Sequence, residues 1–310
     1  MYKFIIKRIL LLIPVLFGIS FILYAIMSLT PGDPAALALG ESATPEAIEE
    51  LRKELGLNGG FFERYFRYIW NAVRGDFGIS YRTRNPVFDE VFTRFPTTCK
   101  LAFLGVGFSV IFGILLGVLS AIKQYSAIDN VTLAFTLGLT SMPDFWFGMM
   151  LIIVFAVKLG WFPISGAKTF SSFILPAMAV SCGYLASTIR MTRTSMLDVI
   201  HADYVRTAEA KGASETSIIF KHALKNALLP VITIVGVNIG AQLGGTIITE
   251  QVFGLPGLGT LLITSVRQKD IPMVMASTLF VAILASLINL ATDILYAFID
   301  PRIKSQYVKG

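Results

Sequence analysis

Residues 203–230 read DYVRTAEAKGASETSIIFKHALKNALLP and stand between two long apolar runs. An Ala210-Lys211-Gly212 turn separates two stretches with helical spacing. On its N-terminal side, Met196, Val199, Ile200, Tyr204, Val205 and Ala208 form an apolar stripe that predicts a helix over 195–211. Gly212 suits the positive φ that closes a helix, and Ser214 suits the cap of the next, which carries Ile218, Ile219 and Phe220. Pro230 stands at the start of the following apolar run. A simple membrane anchor has no need of this polar hairpin. Two readings account for it: a hairpin packed beneath its own bundle, or a short helix offered to the groove of a soluble partner.

The flanking runs set the fold class. The chain has 310 residues, 55% hydrophobic and 15% charged, with a mean hydropathy of +0.70. Its apolar residues gather in uncharged blocks of a length that matches a hydrocarbon core of about 30 Å. Runs at 9–30, 101–122, 169–189, 226–249 and 271–292 give five spans, and 131–157, interrupted only by Asp144, gives a sixth. The expected fold is an all-α integral membrane protein with six transmembrane helices. The N-terminal run is too long for a signal peptide and ends in Thr30-Pro31-Gly32-Asp33 without a small-x-small site, so it reads as the first span. The formal charge of +6 reflects basic residues at membrane borders rather than nucleic-acid binding. With both termini inside, the two short outer loops hold only Lys158, Lys168, Arg267 and Lys269, which orients the chain.

The expected organisation is a first helix at 1–30, an extracytoplasmic segment at 31–100, a five-helix core at 101–300 and a cytoplasmic tail at 301–310. The core carries a cytoplasmic loop at 190–227. In the outer segment, Thr44-Pro45 predicts a helix start and Leu57-Asn58-Gly59-Gly60 its end. Residues 61–73 interleave aromatics with Glu63, Arg64 and Arg67, the pattern of an interfacial helix.

Within the spans, Asp144 sits near mid-depth, where a carboxylate costs several kcal/mol unless it faces a cavity or a partner, and Pro143 just before it breaks the local hydrogen bonding and supports a kinked, pore-facing segment. It is a candidate for the translocation path, or for a structural hydrogen bond. Gly236, Gly240 and Gly244 recur every four residues as a ridge for close helix packing. Asn238 and Gln242 share another face and either line the path or bond across helices. There is no Gly-Lys dipeptide, hence no GxxxxGK[ST] phosphate loop. Cys99, Cys182, His201 and His222 show no metal-ligand spacing. No catalytic or cofactor site is expected.

The 203–230 stretch resembles the EAA loop of ATP-binding-cassette importer permeases, in the form of the dipeptide, oligopeptide and nickel branch. The matching residues are Asp203 to Ala208, Ala210-Lys211-Gly212, His222-Ala223-Leu224, Asn226-Ala227 and Pro230. Arg206-Thr207-Ala208 stands where the sugar-importer form has Glu-Ala-Ala. The likeness continues through Pro31-Gly32-Asp33-Pro34, Gly75-Asp76-Phe77-Gly78, Ser141-Met142-Pro143-Asp144-Phe145-Trp146, EQVFGLPGLG at 250–259, Lys269-Asp270-Ile271-Pro272 and Asp300-Pro301-Arg302.

The resemblance implies a type I importer permease, the first of two non-identical ones, moving di- or oligopeptides across a bacterial or archaeal cytoplasmic membrane by alternating access. It implies as partners a second permease, one or two ATPase subunits holding ATP and magnesium, and an extracytoplasmic binding protein. Coupling to the ATPase is implied for Arg206, Thr207, Ala208, Glu209, Ala210, Lys211, Gly212, Ala213 and Ser214. Nickel is the runner-up substrate. Outside the family, an ion-coupled secondary transporter would use Asp144, although no internal repeat supports it. A membrane enzyme has no credible catalytic group here.

Overall fold

The computed structural model describes residues 2–40 and 43–299; Asp300-Pro301-Arg302 and the expected tail at 301–310 lie outside them. The described chain is helical. Helix α1 spans Tyr2–Leu29, followed by α2 (Pro34–Leu39), α3 (Pro45–Glu54) and α4 (Phe61–Val73). Next come α5 (Val87–Ile122), α6 (Ala127–Ser141) and α7 (Asp144–Leu151), which continues as a π-helix over Ile152–Lys158. A 3₁₀ turn at Phe170–Phe173 leads into α8 (Ile174–Val180), then α9 (Cys182–Ile200), α10 (Asp203–Ala210) and α11 (Glu215–Ser217). A second π-segment, Ile218–Ala223, precedes α12 (Leu224–Val252); α13 (Leu258–Arg267) and α14 (Ile271–Ile299) end the described chain. Among the described residues, four helices are long and apolar enough to cross a membrane, and six if each of two bent pairs counts as one span.

Bends run through two of the expected spans, the kink expected at Pro143 and one in the run at 169–189. The run at 131–157 is not one rod: Ala127–Ser141 and Asp144–Lys158 meet at 109°. The cause is local. A residue before proline is pushed out of the α region, and Met142 takes φ −99°, ψ 134° ahead of Pro143, also extended at ψ 137°. The helix restarts at Asp144. The run at 169–189 bends by 61° at Ser181, whose hydroxyl donates to the Met178 carbonyl at 2.9 Å, a back-bond that bends helices. The helix expected over 195–211 is likewise broken, because Ala202 is extended at ψ 149° and α10 starts afresh.

The chain falls into two compact units, Met1–Thr98 with Pro256–Leu287, and Cys99–Leu255 with Ile288–Gly310. This division interleaves the ends of the chain rather than following the order of spans. In the first unit, the Thr44 hydroxyl accepts from Ala47 N at 3.3 Å and Pro45 opens α3 as expected, but α3 ends at Glu54, before the predicted glycines. Helix α4 has the predicted bounds, and its Tyr65 packs on Phe17, Phe21 and Tyr24 of α1 while bonding Ser20 at 2.9 Å.

Two neighbouring residues tie this unit together. Lys269 Nζ donates to the carbonyls of Thr30 at 2.6 Å and Gly32 at 3.1 Å, and also to Pro31 O. Asp270 accepts from Ser80 Oγ, from Tyr81 N at 3.1 Å and from Met273 N at 3.4 Å at the start of α14. Residues 30–32, residues 80–81 and the start of α14, far apart in sequence, therefore meet on one Lys-Asp pair. Lys269→Met should strand three carbonyls and cost about 1–3 kcal/mol. Limited proteolysis checks this: cleavage near residues 31–40 should quicken while the other helices stay protected.

Candidate coupling loop and translocation path

Helix α10 is a short, exposed element held at its two ends. Only Val205 is buried; Arg206, Thr207, Glu209, Ala210, Lys211, Gly212 and Ser214 are exposed, with Ala208 and Ala213 half-buried. Its C-terminus closes as a Schellman motif. Ala213 N donates to Ala208 O at 3.2 Å and Gly212 N to Glu209 O at 2.9 Å, with Gly212 at φ +77°. Ser214 then caps the next turn, accepting from Ser217 N at 3.4 Å. The nine residues of the predicted coupling set thus form one continuous surface, of which the chain itself buries little.

Behind this surface, Val118 and Ala121 of α5, Met196 of α9, Ala223 and Ala227 form a buried cluster. Helices α5 and α9 approach closely there. A Cβ on Gly113 would lie 2.6 Å from Thr188, and one on Gly117 2.5 Å from Thr192. The GxxxG signal at 113–117 was available in the sequence and marks this ridge.

An ion pair that sequence reasoning missed fixes the same region. Arg193 donates to Asp129 through Nε at 2.7 Å and Nη2 at 2.8 Å. Asp129 also accepts from Ser120 Oγ and from Tyr125 N at 2.9 Å. Asp129 is 1% exposed and Arg193 17%. One carboxylate therefore holds the end of α5, the start of α6 and the middle of α9. The Ser126-x-x-Asp129 cap was legible, but nothing local connects Asp129 to an arginine 64 positions away.

The predicted path residues do not gather at one open surface. Asp144 is half-buried at the start of α7 and makes no hydrogen bond or ion pair among the described residues. Asn238 donates to Ser187 Oγ at 3.4 Å, the cross-helix bond foreseen as one of its roles. Gln242 is fully buried, its amide lies where a Cβ on Gly105 would stand, and neither amide atom finds a partner among the described residues. The glycine ridge is only partly used. A Cβ on Gly240 would lie 2.0 Å from the Asn289 side chain, and Gly236 is buried, its carbonyl accepting from Thr292 Oγ1 at 3.5 Å. A Cβ on Gly244 would meet nothing within 4 Å among the described residues. Among the described residues no group of three or more His, Cys, Asp or Glu is placed to hold a metal.

Residues 113–305 match the family described as binding-protein-dependent transport system inner membrane component. Residues 1–102 match the N-terminal family of binding-protein-dependent transport system membrane components. The chain is 42% identical over 304 residues to the glutathione transport system permease protein GsiC of Escherichia coli (strain K12), covering 98% of this chain and 99% of that one. The same figures hold for GsiC of Shigella dysenteriae serotype 1. Among solved structures, the inward-facing MetNI methionine ABC transporter aligns with a TM-score of 0.57 at 18% identity, over 70% of this chain and 99% of that one. An amino acid ABC transporter with histidines aligns with a TM-score of 0.51 at 16% identity, over 69% and 94%. These structural likenesses establish the fold, that of a type I ABC importer permease.

Proposed function

The chain belongs to the binding-protein-dependent transport system inner membrane components, and on that premise we propose that it imports small peptides as the first of two non-identical permeases. It is a multi-pass transmembrane subunit of an ABC importer. One observation carries the substrate class: the identity to a permease named for glutathione, itself a tripeptide, runs through nearly the whole of both chains. Both termini and residues 190–227 face the cytoplasm in this reading, in accord with the low basic content of the two short outer loops.

ATP closes a pair of partner ATPase subunits, and one of them carries α10 with it. Because α10 is short, exposed and closed by fixed hydrogen bonds, it moves as a body. The cluster around Met196 and the Asp129–Arg193 pair pass that motion to α5, α6, α9 and α12. ATP shifts the equilibrium only to the extent that it binds one state more tightly than the other. An extracytoplasmic binding protein delivers the peptide to the opened path.

The test is uptake of labelled glutathione and of a dipeptide into proteoliposomes holding this chain with its partner permease, ATPases and binding protein. Accumulation that requires ATP and the binding protein is the expected result. Uptake driven by a proton or sodium gradient without the ATPases, or of a nickel chelate and no peptide, would overturn the proposal.

A further inference from the structure

The first unit contains a cavity of about 190 Å³ walled by α4, the turn after α3 and residues 76–81. Four charged side chains line it: Glu54, Arg64, Arg67 and Asp76. Three have their own partners. Glu54 accepts from Arg84 at 3.3 Å, Arg67 pairs with Glu63, and Asp76 Oδ1 accepts from Gly78 N at 2.9 Å. Arg64 is left over. Its Nε is buried without a hydrogen-bond partner among the described residues, and so is the hydroxyl of Tyr68, which lines the same cavity. Burial pushes the phenols of Tyr68 and Tyr81 up, so both remain donors at neutral pH.

The unmet chemistry is one-sided. A guanidinium offers five donors and no acceptor, and a buried donor without a partner costs about 1–3 kcal/mol, more when charged. Asp76 has only a backbone amide as partner, so the lining is balanced in charge; what is unmet is two donors, Arg64 Nε and the Tyr68 hydroxyl, which one group that accepts hydrogen bonds would satisfy. Planar carboxylate geometry suits a guanidinium best. The cavity is smaller than the ~300 Å³ at which small-molecule pockets begin, so it receives one group of a larger ligand.

The direction of approach follows from α4. Phe62, Phe66, Trp70 and Val73 are 62%, 56%, 62% and 80% exposed and share one flank. At 3.6 residues per turn, Arg64, Arg67 and Asn71 lie roughly 105–165° around the helix from the middle of that flank. With the apolar flank against the bilayer, the cavity faces water, and a lipid phosphate would be on the wrong side.

We propose that this cavity binds one carboxylate arriving from the aqueous side, with Arg64 and Tyr68 as its donors. The carboxylate belongs either to a peptide-sized solute or to an acidic side chain of the docked binding protein; only the second source rests on the function proposed above.

Two measurements on the full chain with its partner permease, in nanodiscs of zwitterionic lipid, test it. In the first, saturation-transfer NMR compares N-acetylglycine with its neutral isostere N-acetylglycinamide. Binding of the acid alone, weakened at least about tenfold by Arg64→Met and a few-fold by Tyr68→Phe, assigns the site to a free carboxylate. In the second, the binding protein's Kd is measured for the same nanodiscs. A loss of affinity in Arg64→Met without N-acetylglycine binding assigns the carboxylate to that protein. If neither measurement responds to Arg64→Met, or the acid and amide bind alike, the proposal is wrong. Should Arg64→Met unfold the chain, Tyr68→Phe removes a single oxygen and carries the same two comparisons. The NMR arm needs neither ATP nor transport, so its failure leaves the importer reading intact, and a failed uptake experiment leaves the cavity's chemistry intact.

Discussion

Gly212→Trp is expected to cut ATP-driven uptake by about tenfold or more while leaving the chain folded and inserted. The glycine sits at φ +77°, and nothing lies within 4 Å of where its Cβ would be. The chain therefore has room for a large side chain, and the internal cost is the left-handed backbone, about 1–2 kcal/mol. In the proposed assembly, an ATPase groove occupies the same open space. An indole there overpacks the contact, at a cost of about 1–3 kcal/mol, so uptake should fall by about tenfold or more. Gly212→Asn separates the two effects, because asparagine tolerates the left-handed region and adds little bulk; it should transport nearly as well as the parent. Uptake and ATP hydrolysis in proteoliposomes read both variants. Full peptide-stimulated hydrolysis and uptake by Gly212→Trp would remove this loop from the coupling path.

Breaking the Asp129–Arg193 pair should produce the largest loss of stability. Asp129→Ala leaves a guanidinium that is 17% exposed with no carboxylate, and Arg193→Met leaves a carboxylate that is 1% exposed with only Ser120 and the Tyr125 amide. Removing one member of a buried pair costs about 3–5 kcal/mol, whereas replacing both by apolar residues of similar volume is often near neutral. The double variant Asp129→Leu/Arg193→Met should therefore recover most of the unfolding midpoint lost by either single variant, as followed by intrinsic fluorescence in detergent. Single variants as stable as the parent would show that the pair holds nothing together.

What the sequence made legible was local. Thr44-Pro45, the bounds of α4, the closure of α10 at Gly212 and the cap at Ser214 each depend on residues within a turn of one another, and each is present. The apolar runs placed the spans for the same reason. Bends were harder. Pro143 announced a break in the third run, but its size, 109°, depends on Met142 and Pro143 both being extended. Contacts between distant helices were the least visible. Periodicity marked Gly236, Gly240 and Gly244 equally, yet which glycine meets a neighbour depends on the side chain opposite, and Gly244 has none among the described residues. Gln242 looked like a path residue by polarity and is closed in against Gly105, while nothing near Asp129 in the sequence points to Arg193. Pairing of that kind is set by packing, which one sequence does not display.

In the proposed function, α10 is the surface through which an ATPase moves this membrane subunit. Photo-cross-linking tests it most directly, with benzoylphenylalanine placed at Lys211 on the exposed turn and, as a comparison, at Phe62 on α4. The Lys211 position should yield an adduct with an ATP-binding subunit, strengthened or lost on adding ATP, and the Phe62 position none. No ATPase adduct at Lys211, or equal adducts at both positions, would contradict the account.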